Sequence, residues 1–254
     1  MRRIPDNLRE RVAALTDPHA GILAAGDALH ELASHELALG VVHEWMTVEE
    51  PPPSRHAWIA PHGALVALAW RMLLARRGGE PRVAWVGRRT WPTPRSMIDE
   101  HGSRALVAAS VFIDASVRER VAGEPPRSEQ ANRLWAAEQA LACDGVVAVI
   151  FDADGFDMVA SRRTQLTAAR TRDRPAVLAL AVRPWSQRMM PTAAASRWAV
   201  RPMSGETSAP AWCAELLRGR SAVGLAQAGT RITLRASWSW RGGEPPSAPV
   251  ITSA

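Results

Sequence analysis

The sequence predicts an α/β protein with a mostly parallel central sheet, helices on both faces and an antiparallel C-terminal edge. Apolar strand-like runs alternate with helical patterns between about residues 40 and 182, and three further strand-like runs follow with no helix between them. Alternation requires parallel strands covered by helices, whereas consecutive strands favour antiparallel pairing. The chain has 254 residues, 47% of them hydrophobic, which is enough for one sizeable core.

The chain is expected to divide into a helical segment at 1–39, a core domain at 40–241 and a flexible tail at 242–254. Apolar residues recur at helical spacing near the start until Asp17-Pro18 breaks the run. The tail is rich in glycine, proline and serine, a composition typical of a loose terminus.

Hydrophobic periodicity predicts the helices and strands of the core domain. The clearest is the helix at 63–77, because Leu65, Leu68 and Met72 share one face and Gly78-Gly79 ends the pattern. The other predicted helices, one of them only a turn or two, lie at 96–101, 128–143 and 158–172. The predicted strands lie at 41–46, 82–86, 105–113, 146–152, 176–182, 198–201, 212–217 and 232–240.

Composition excludes several classes of protein. The two cysteines are far apart and form no disulfide framework, and the start of the chain shows no signal peptide. No apolar run approaches the roughly 18 residues that a membrane span needs, so a cytoplasmic protein without membrane contact is expected. All 31 basic residues are arginine, and the net charge of +6 permits an acidic partner such as DNA without requiring one.

The absence of lysine bears on nucleotide binding. A phosphate-binding loop would lie between the strand at 41–46 and the helix at 63–77, and it needs glycines and a lysine. This stretch carries Glu49, Glu50 and three prolines instead. Prolines remove backbone donors and carboxylates repel phosphate, so ATP binding in the usual mode is not expected. No cofactor is predicted.

The strand at 146–152 resembles a Walker B element, which delivers an aspartate at the carboxyl end of an apolar strand to hold Mg²⁺. Asp152 is therefore interpreted as a vestigial Walker B residue, with a simple turn aspartate before Asp154-Gly155 as the alternative. His30 and His35 are five residues apart, which places them about 140° apart on a helix, so no metal site is expected there.

Arginine and tryptophan clusters are the positive signal. Arg183, Trp185 and Arg188 lie in a loop after a predicted strand, where open α/β sheets place functional loops. Arg162 and Arg163 precede them on a helix. Arginine with tryptophan suits phosphate contact and base stacking, and both residue types also dominate protein–protein hot spots. The alternative is a solvated arginine face with a tryptophan that covers the core.

The order of segments resembles RecA, and more specifically ImuA, a RecA-related accessory protein of bacterial translesion synthesis. The segments that carry the resemblance are 39–44, 134–141, 161–169 and 193–198, the last of which contains Arg197. The resemblance spans roughly residues 21 to 220. It implies a RecA-like three-layer α/β/α fold and a role in damage-induced mutagenesis, with the Y-family polymerase homologue ImuB as partner and an error-prone C-family polymerase. It adds Arg197 to the candidate nucleic-acid or partner-binding residues.

The sequence departs from a RecA-type ATPase at further positions. Gly87-Arg88-Arg89-Thr90 stands where a catalytic glutamate would follow the strand at 82–86, and the loops that correspond to RecA's DNA-binding loops are short. The first hypothesis is therefore a non-enzymatic accessory protein that binds a polymerase-like partner and in addition RecA or single-stranded DNA. The alternatives are a divergent nucleotide-binding ATPase that uses Arg88 or Arg89 and a SulA-like inhibitor of cell division.

Overall fold

The fold was taken from a computed structural model, which describes residues 37–48, 59–75, 80–98, 104–116, 128–169, 176–203, 211–219 and 228–235. Almost all of the predicted N-terminal helical segment and the whole of the predicted tail lie outside these residues. No helix within the described ranges is long and apolar enough to cross a membrane.

Eight strands form one sheet in the order β3-β2-β4-β5-β1-β6-β7-β8. The strands are β1 Val42–Thr47, β2 Arg82–Val86, β3 Ser110–Ile113, β4 Val146–Asp152, β5 Leu178–Val182, β6 Ser196–Met203, β7 Ala211–Gly219 and β8 Arg231–Arg235. The first six positions of this order pair in parallel, and β7 and β8 continue the sheet in antiparallel pairing.

Helices cover both faces of the sheet. The α-helices are α1 His62–Ala75, α2 Ala105–Ala109, α3 Glu129–Ala142 and α4 Met158–Ala169. Helix α1 packs with Trp45, Val83 and Ile150 in one core, and helices α3 and α4 pack with Val149 and Phe151 in the other. The predicted RecA-like three-layer α/β/α class, with a mostly parallel sheet and an antiparallel C-terminal edge, is confirmed.

The prediction of one strand at 105–113 was wrong. Residues Ala105–Ala109 form a short helix, and only Ser110–Ile113 form a strand. Alanine is the strongest helix former, and Leu106 and Ala109, three residues apart, both turn into the core. A short apolar run carries no periodicity that separates a helix from a strand.

Within the described residues the remaining elements match their predicted positions to within a few residues, and positions 236–240 of the last predicted strand lie outside those residues. Strand β2 has its predicted bounds, and α3 begins after Ser128, whose hydroxyl accepts a hydrogen bond from the backbone N–H of Ala131. The helical turn predicted at 96–101 is a 3₁₀-helix at Pro94–Met97. Strand β6 is longer than predicted and pairs in parallel with β1, so the antiparallel edge begins one strand later in the chain, at β7.

A buried polar group stands at the centre of the sheet on β1. His43 is fully buried; its Nε2 lies 2.8 Å from the carbonyl oxygen of Ala38 and its Nδ1 lies 2.6 Å from Oγ of Ser196. The carbonyl can only accept, so Nε2 carries the proton and Nδ1 accepts from the Ser196 hydroxyl. Burial lowers the pKa of His43 from 6.5 to about 4, which keeps the ring neutral.

Candidate functional site

The carboxyl ends of the parallel strands meet at one edge of the sheet, which is where proteins of this architecture place their functional groups. Charged side chains gather there. Glu44 lies on β1, Asp152 ends β4, and Arg183 directly follows β5. All three residues are almost completely buried, with exposed fractions of 2%, 2% and 1%.

Glu44 holds two buried arginines. Its Oε1 accepts from Nη1 of Arg183 at 2.8 Å and from the hydroxyl of Thr192 at 2.7 Å, and its Oε2 lies 2.6 Å from Nη2 of Arg197. Arg197 is the register partner of Glu44 on the neighbouring strand β6, so the sheet itself sets this pair. We call Glu44, Arg183, Arg197 and Thr192 the Glu44 cluster.

The two arginines also donate to backbone carbonyls. Arg183 donates from Nη2 to the carbonyl of Phe156, and Arg197 donates to the carbonyls of Arg188 and Met190. These bonds fix the loop that follows β5 against the sheet. The two guanidinium groups therefore stabilise the position of that loop.

Asp152 is held in a second cluster, formed with Arg133, Arg89 and Asp154, which we call the Asp152 cluster. Its Oδ2 accepts from Nη1 of Arg133 at 2.9 Å and lies 3.7 Å from Nη1 of Arg89. Its Oδ1 accepts from the backbone N–H of Asp154 at 2.9 Å. Burial raises the pKa of Asp152, and the charges of Arg133 and Arg89 and the backbone bond oppose that rise.

Gln187 joins the two clusters. Its Nε2 donates to Oδ1 of Asp154 at 2.6 Å, and its Oε1 accepts from Nε of Arg183 at 3.2 Å and from the backbone N–H of Gly155 at 3.3 Å. A continuous chain of polar contacts thus runs along the carboxyl edge from Arg133 to Arg197. Buried networks of this kind fix one arrangement of the elements that they join.

The Asp152 cluster does not fit Mg²⁺. A Walker B carboxylate needs free oxygens that face water and a metal, whereas both oxygens of Asp152 are engaged and two guanidinium groups stand beside them. Gly87 also packs closely against this residue, since a Cβ atom at position 87 would lie 2.9 Å from Cβ of Asp152. The vestigial Walker B role of Asp152 stays a prediction; in the structure its carboxylate is paired with Arg133.

The arginines proposed as substitutes for a P-loop lysine are themselves paired. Arg88 donates from Nε to Asp114 at 2.8 Å, and Arg89 donates to Asp154 at 2.7 Å. Both lie on the 3₁₀-helix Arg88–Thr90, directly after β2. A phosphate at this edge would have to compete with carboxylates that already neutralise these arginines. The acidic and proline-rich stretch at 49–58 lies outside the described residues.

The loop after β5 exposes a small surface at its tip. The guanidinium carbon of Arg188 lies 5.0 Å from the ring centroid of Trp185, within the range of a cation–π contact. Arg188 is exposed, Trp185 is half-buried, and the next residue, Met189, is 84% exposed. Anchored below by the Glu44 cluster, this tip presents an arginine, an indole and a thioether to solvent.

The two predicted arginines of α4 lie on its outward side. Arg162 is exposed and has no ion pair within the described ranges. Arg163 is also exposed and makes a bidentate bridge to Glu138 of α3, with N–O distances of 2.8 and 2.7 Å. Ser161 lies on the inward side of the same helix and contacts Thr192.

The six predicted binding residues therefore separate into an exposed and a buried set. Arg162, Arg163, Trp185 and Arg188 reach the surface. Arg183 and Arg197, also predicted as binding residues, do not: both are buried and their charge is neutralised by Glu44 inside the fold. Glu44 lies in one of the segments that resemble ImuA and was not among the predicted site residues, although a carboxylate inside the strand Val42–Thr47 already requires a buried partner.

In the described ranges, no group of three or more histidine, cysteine, aspartate or glutamate side chains lies close enough together to hold a metal ion. The pair His30 and His35 lies outside those ranges.

Comparisons with known proteins identify no family. No family model matches the chain, and no curated protein matches it. Among solved structures, the chain is similar to the flagellar accessory protein FlaH from Methanocaldococcus jannaschii, with 12% identity, coverage of 85% of this chain and 91% of that chain, and a TM-score of 0.42. A likeness this distant carries nothing about activity, ligand or partner.

Proposed function

We propose that the protein is a non-catalytic RecA-like accessory factor of damage-induced mutagenesis, which acts by binding a polymerase-like partner in translesion DNA synthesis. The ordered segments that resemble ImuA suggest this pathway. One structural observation favours binding over catalysis. The carboxylate at the end of β4, where a RecA-type ATPase would hold Mg²⁺, is neutralised by Arg133 and lies beside Arg89.

The polar contacts at the carboxyl edge of the sheet also support this proposal. An ATPase keeps its edge open and hydrated so that phosphate and metal can enter and leave. Here a continuous series of ion pairs and hydrogen bonds links α3 and β4 to the loop after β5 and to β6. Such an edge is suited to hold the outer surfaces in fixed positions, which is what a docking protein requires.

The exposed loop tip is the first candidate contact. Trp185, Arg188 and Met189 combine an aromatic face, a charge and a flexible apolar side chain, a combination found both at protein hot spots and on single-stranded DNA platforms. The protein partner is the primary proposal, and RecA or DNA contact at this tip is secondary.

The test is direct binding between the full-length purified chain and the polymerase-like protein encoded by the neighbouring reading frame. We expect a complex by size-exclusion chromatography and isothermal titration calorimetry. Trp185→Ala and Arg188→Glu should weaken it by roughly tenfold or more, as expected for hot-spot residues. Arg95→Glu serves as control, because Arg95 is also an exposed arginine but lies in a different 3₁₀-helix, Pro94–Met97. A wild-type chain that binds no such partner would refute the proposal.

The non-catalytic part has its own test. Labelled ATP with Mg²⁺ at millimolar concentration should show no saturable binding to the chain, with an authentic RecA-type ATPase as positive control. Saturable binding that is lost in Arg89→Ala would instead support the divergent ATPase, which uses that arginine as its phosphate clamp.

A further inference from the structure

Helices α3 and α4 share an outer surface that the proposed function leaves unused. They run parallel with a constant sequence offset: Gln130 donates to the carbonyl of Gly155 at 2.8 Å, and Glu138 accepts from Arg163. Both contacts join residues that are 25 positions apart. The same offset places Trp135 of α3 level with residue 160, in the first turn of α4.

Four residues of α4 form one exposed strip. Val159, Arg162, Arg163 and Leu166 recur with the spacing i, i+3, i+4 and i+7, which aligns them on one face of a helix. Their exposure is unusual for apolar side chains: Val159 is 66% exposed, Leu166 is 48% exposed, and Trp135 on the neighbouring helix is 52% exposed. We call these five residues the α3–α4 surface.

The large apolar side chains of this surface are not required by the sheet. The inward sides of the two helices are already filled, in large part by alanine, as at Ala136, Ala137, Ala140, Ala160 and Ala168. Exposed tryptophan, valine and leucine at one place, between charged neighbours, mark a contact site more often than a solvent face.

Charge decides which occupant fits. Arg163 is neutralised by Glu138, whereas Arg162, between the apolar residues of the strip, has no ion pair within the described ranges. A symmetric contact between two copies would bring the Arg162 residues of the two copies toward each other, and two chains of net charge +6 repel one another. Single-stranded DNA would use Trp135, but the aliphatic side chains of Val159 and Leu166 offer no stacking platform.

We propose that the α3–α4 surface binds an amphipathic helix of a protein partner, whose apolar face covers Trp135, Val159 and Leu166 and whose flanking glutamate or aspartate pairs with Arg162. An exposed helical strip of apolar residues matches the i, i+4, i+7 anchors of such a helix. The inference rests on the proposed function only in that it names a second surface for a protein partner.

The first experiment needs no natural partner. A labelled 18-residue model helix with leucine on one face and glutamate on both flanks is titrated with the full chain, and fluorescence anisotropy is recorded. We expect saturable binding that weakens with salt, and clearly weaker binding of the same peptide with lysine in place of glutamate. Equal binding of the two peptides, no binding of the glutamate peptide, or its displacement by a 20-nucleotide single strand would overturn the proposal.

Variants locate the contact. Trp135→Ser and Arg162→Glu should each weaken binding of the glutamate peptide by about tenfold, and Arg162→Glu should improve binding of the lysine peptide. Leu74→Ser and Arg218→Glu are matched controls, because both residues are exposed and lie on other elements, α1 and β7. Circular dichroism checks that each variant is folded. If the controls weaken binding as much as the test variants do, the assignment of the surface is wrong.

The polymerase-like partner separates this inference from the proposed function. If that protein binds the wild-type chain and binds Trp135→Ser and Arg162→Glu equally well, the proposed function stands and the α3–α4 surface is refuted as its docking site. If that protein does not bind while the glutamate peptide does, with the expected variant pattern, the proposed function fails and the surface assignment stands.

Discussion

Replacement of Glu44 by glutamine is the most informative single perturbation of this fold. Glu44 is 2% exposed and is the only carboxylate that the described contacts bring to Arg183 and Arg197, which are 1% and 5% exposed. Glutamine has nearly the same shape but carries no charge, so the substitution isolates the electrostatic role of the residue from its volume.

The magnitude follows from the contacts. The carboxylate accepts three hydrogen bonds at 2.7–2.8 Å from Arg183, Thr192 and Arg197, and its Oε2 also lies 2.6 Å from Nη2 of Arg197. A glutamine side chain can accept on one side only, so at least one buried guanidinium would face its N–H group. Breaking a buried ion pair from one side typically costs about 3–5 kcal/mol, because an uncompensated charge remains buried. That is a large share of a typical stability of about 5–15 kcal/mol.

Urea denaturation followed by tryptophan fluorescence measures this loss. The chain has 11 tryptophans, and Trp45 and Trp198 stack at 5.9 Å in the core beside the cluster, so unfolding should give a large signal. We expect the midpoint for Glu44→Gln to fall strongly while the slope with urea stays unchanged.

The matched control is Glu215→Gln. Glu215 pairs with Arg231 at 3.2 Å, but 59% of the Arg231 side chain and 32% of the Glu215 side chain are exposed. Solvent screens such a pair, so its loss should change the unfolding free energy by less than about 1 kcal/mol. The reasoning is refuted if Glu44→Gln costs no more than Glu215→Gln does.

Three further predictions concern stability. Because the folded-state pKa of His43 is lowered from 6.5 to about 4, the folded chain binds fewer protons than the unfolded chain between these pH values. The unfolding free energy should therefore fall by about 3 kcal/mol as pH decreases from 6.5 to 4, and should not change through His43 above pH 6.5. His43→Gln should flatten this part of the pH profile of unfolding free energy, and an unchanged profile would contradict the assignment. Gly63→Ala should destabilise the fold by about 1–3 kcal/mol, although alanine is the better helix former, because a Cβ atom there would lie 2.0 Å from the ring of Trp212. The double variant Gly63→Ala with Trp212→Leu should recover part of this loss. A Gly63→Ala variant that is more stable than the wild type would show that helix propensity outweighs the steric clash. Gly87→Ala should lower the thermal midpoint, because φ is +87° and the new Cβ would meet Asp152 at 2.9 Å; an unchanged midpoint in differential scanning calorimetry would refute this.

The sequence predicted most of the fold because the decisive signals are local. Apolar strands such as Val146–Asp152 and the serine cap of α3 are encoded by neighbouring residues, and alternation with helices dictates a parallel sheet. The exception is Ala105–Ala109, a run too short to show a period, which forms a helix that buries Leu106 and Ala109.

Sequence alone determined that this chain has no lysine for a phosphate loop, that arginine supplies all of its basic side chains, and that an aspartate ends β4. Only the tertiary structure decided which arginines face solvent. Arg183 follows β5 and Arg197 lies on β6, and the sheet brings both to Glu44 of β1, more than 130 residues away along the chain. Buried charge must be neutralised by whichever partner the topology brings near, and that partner cannot be read from neighbouring residues.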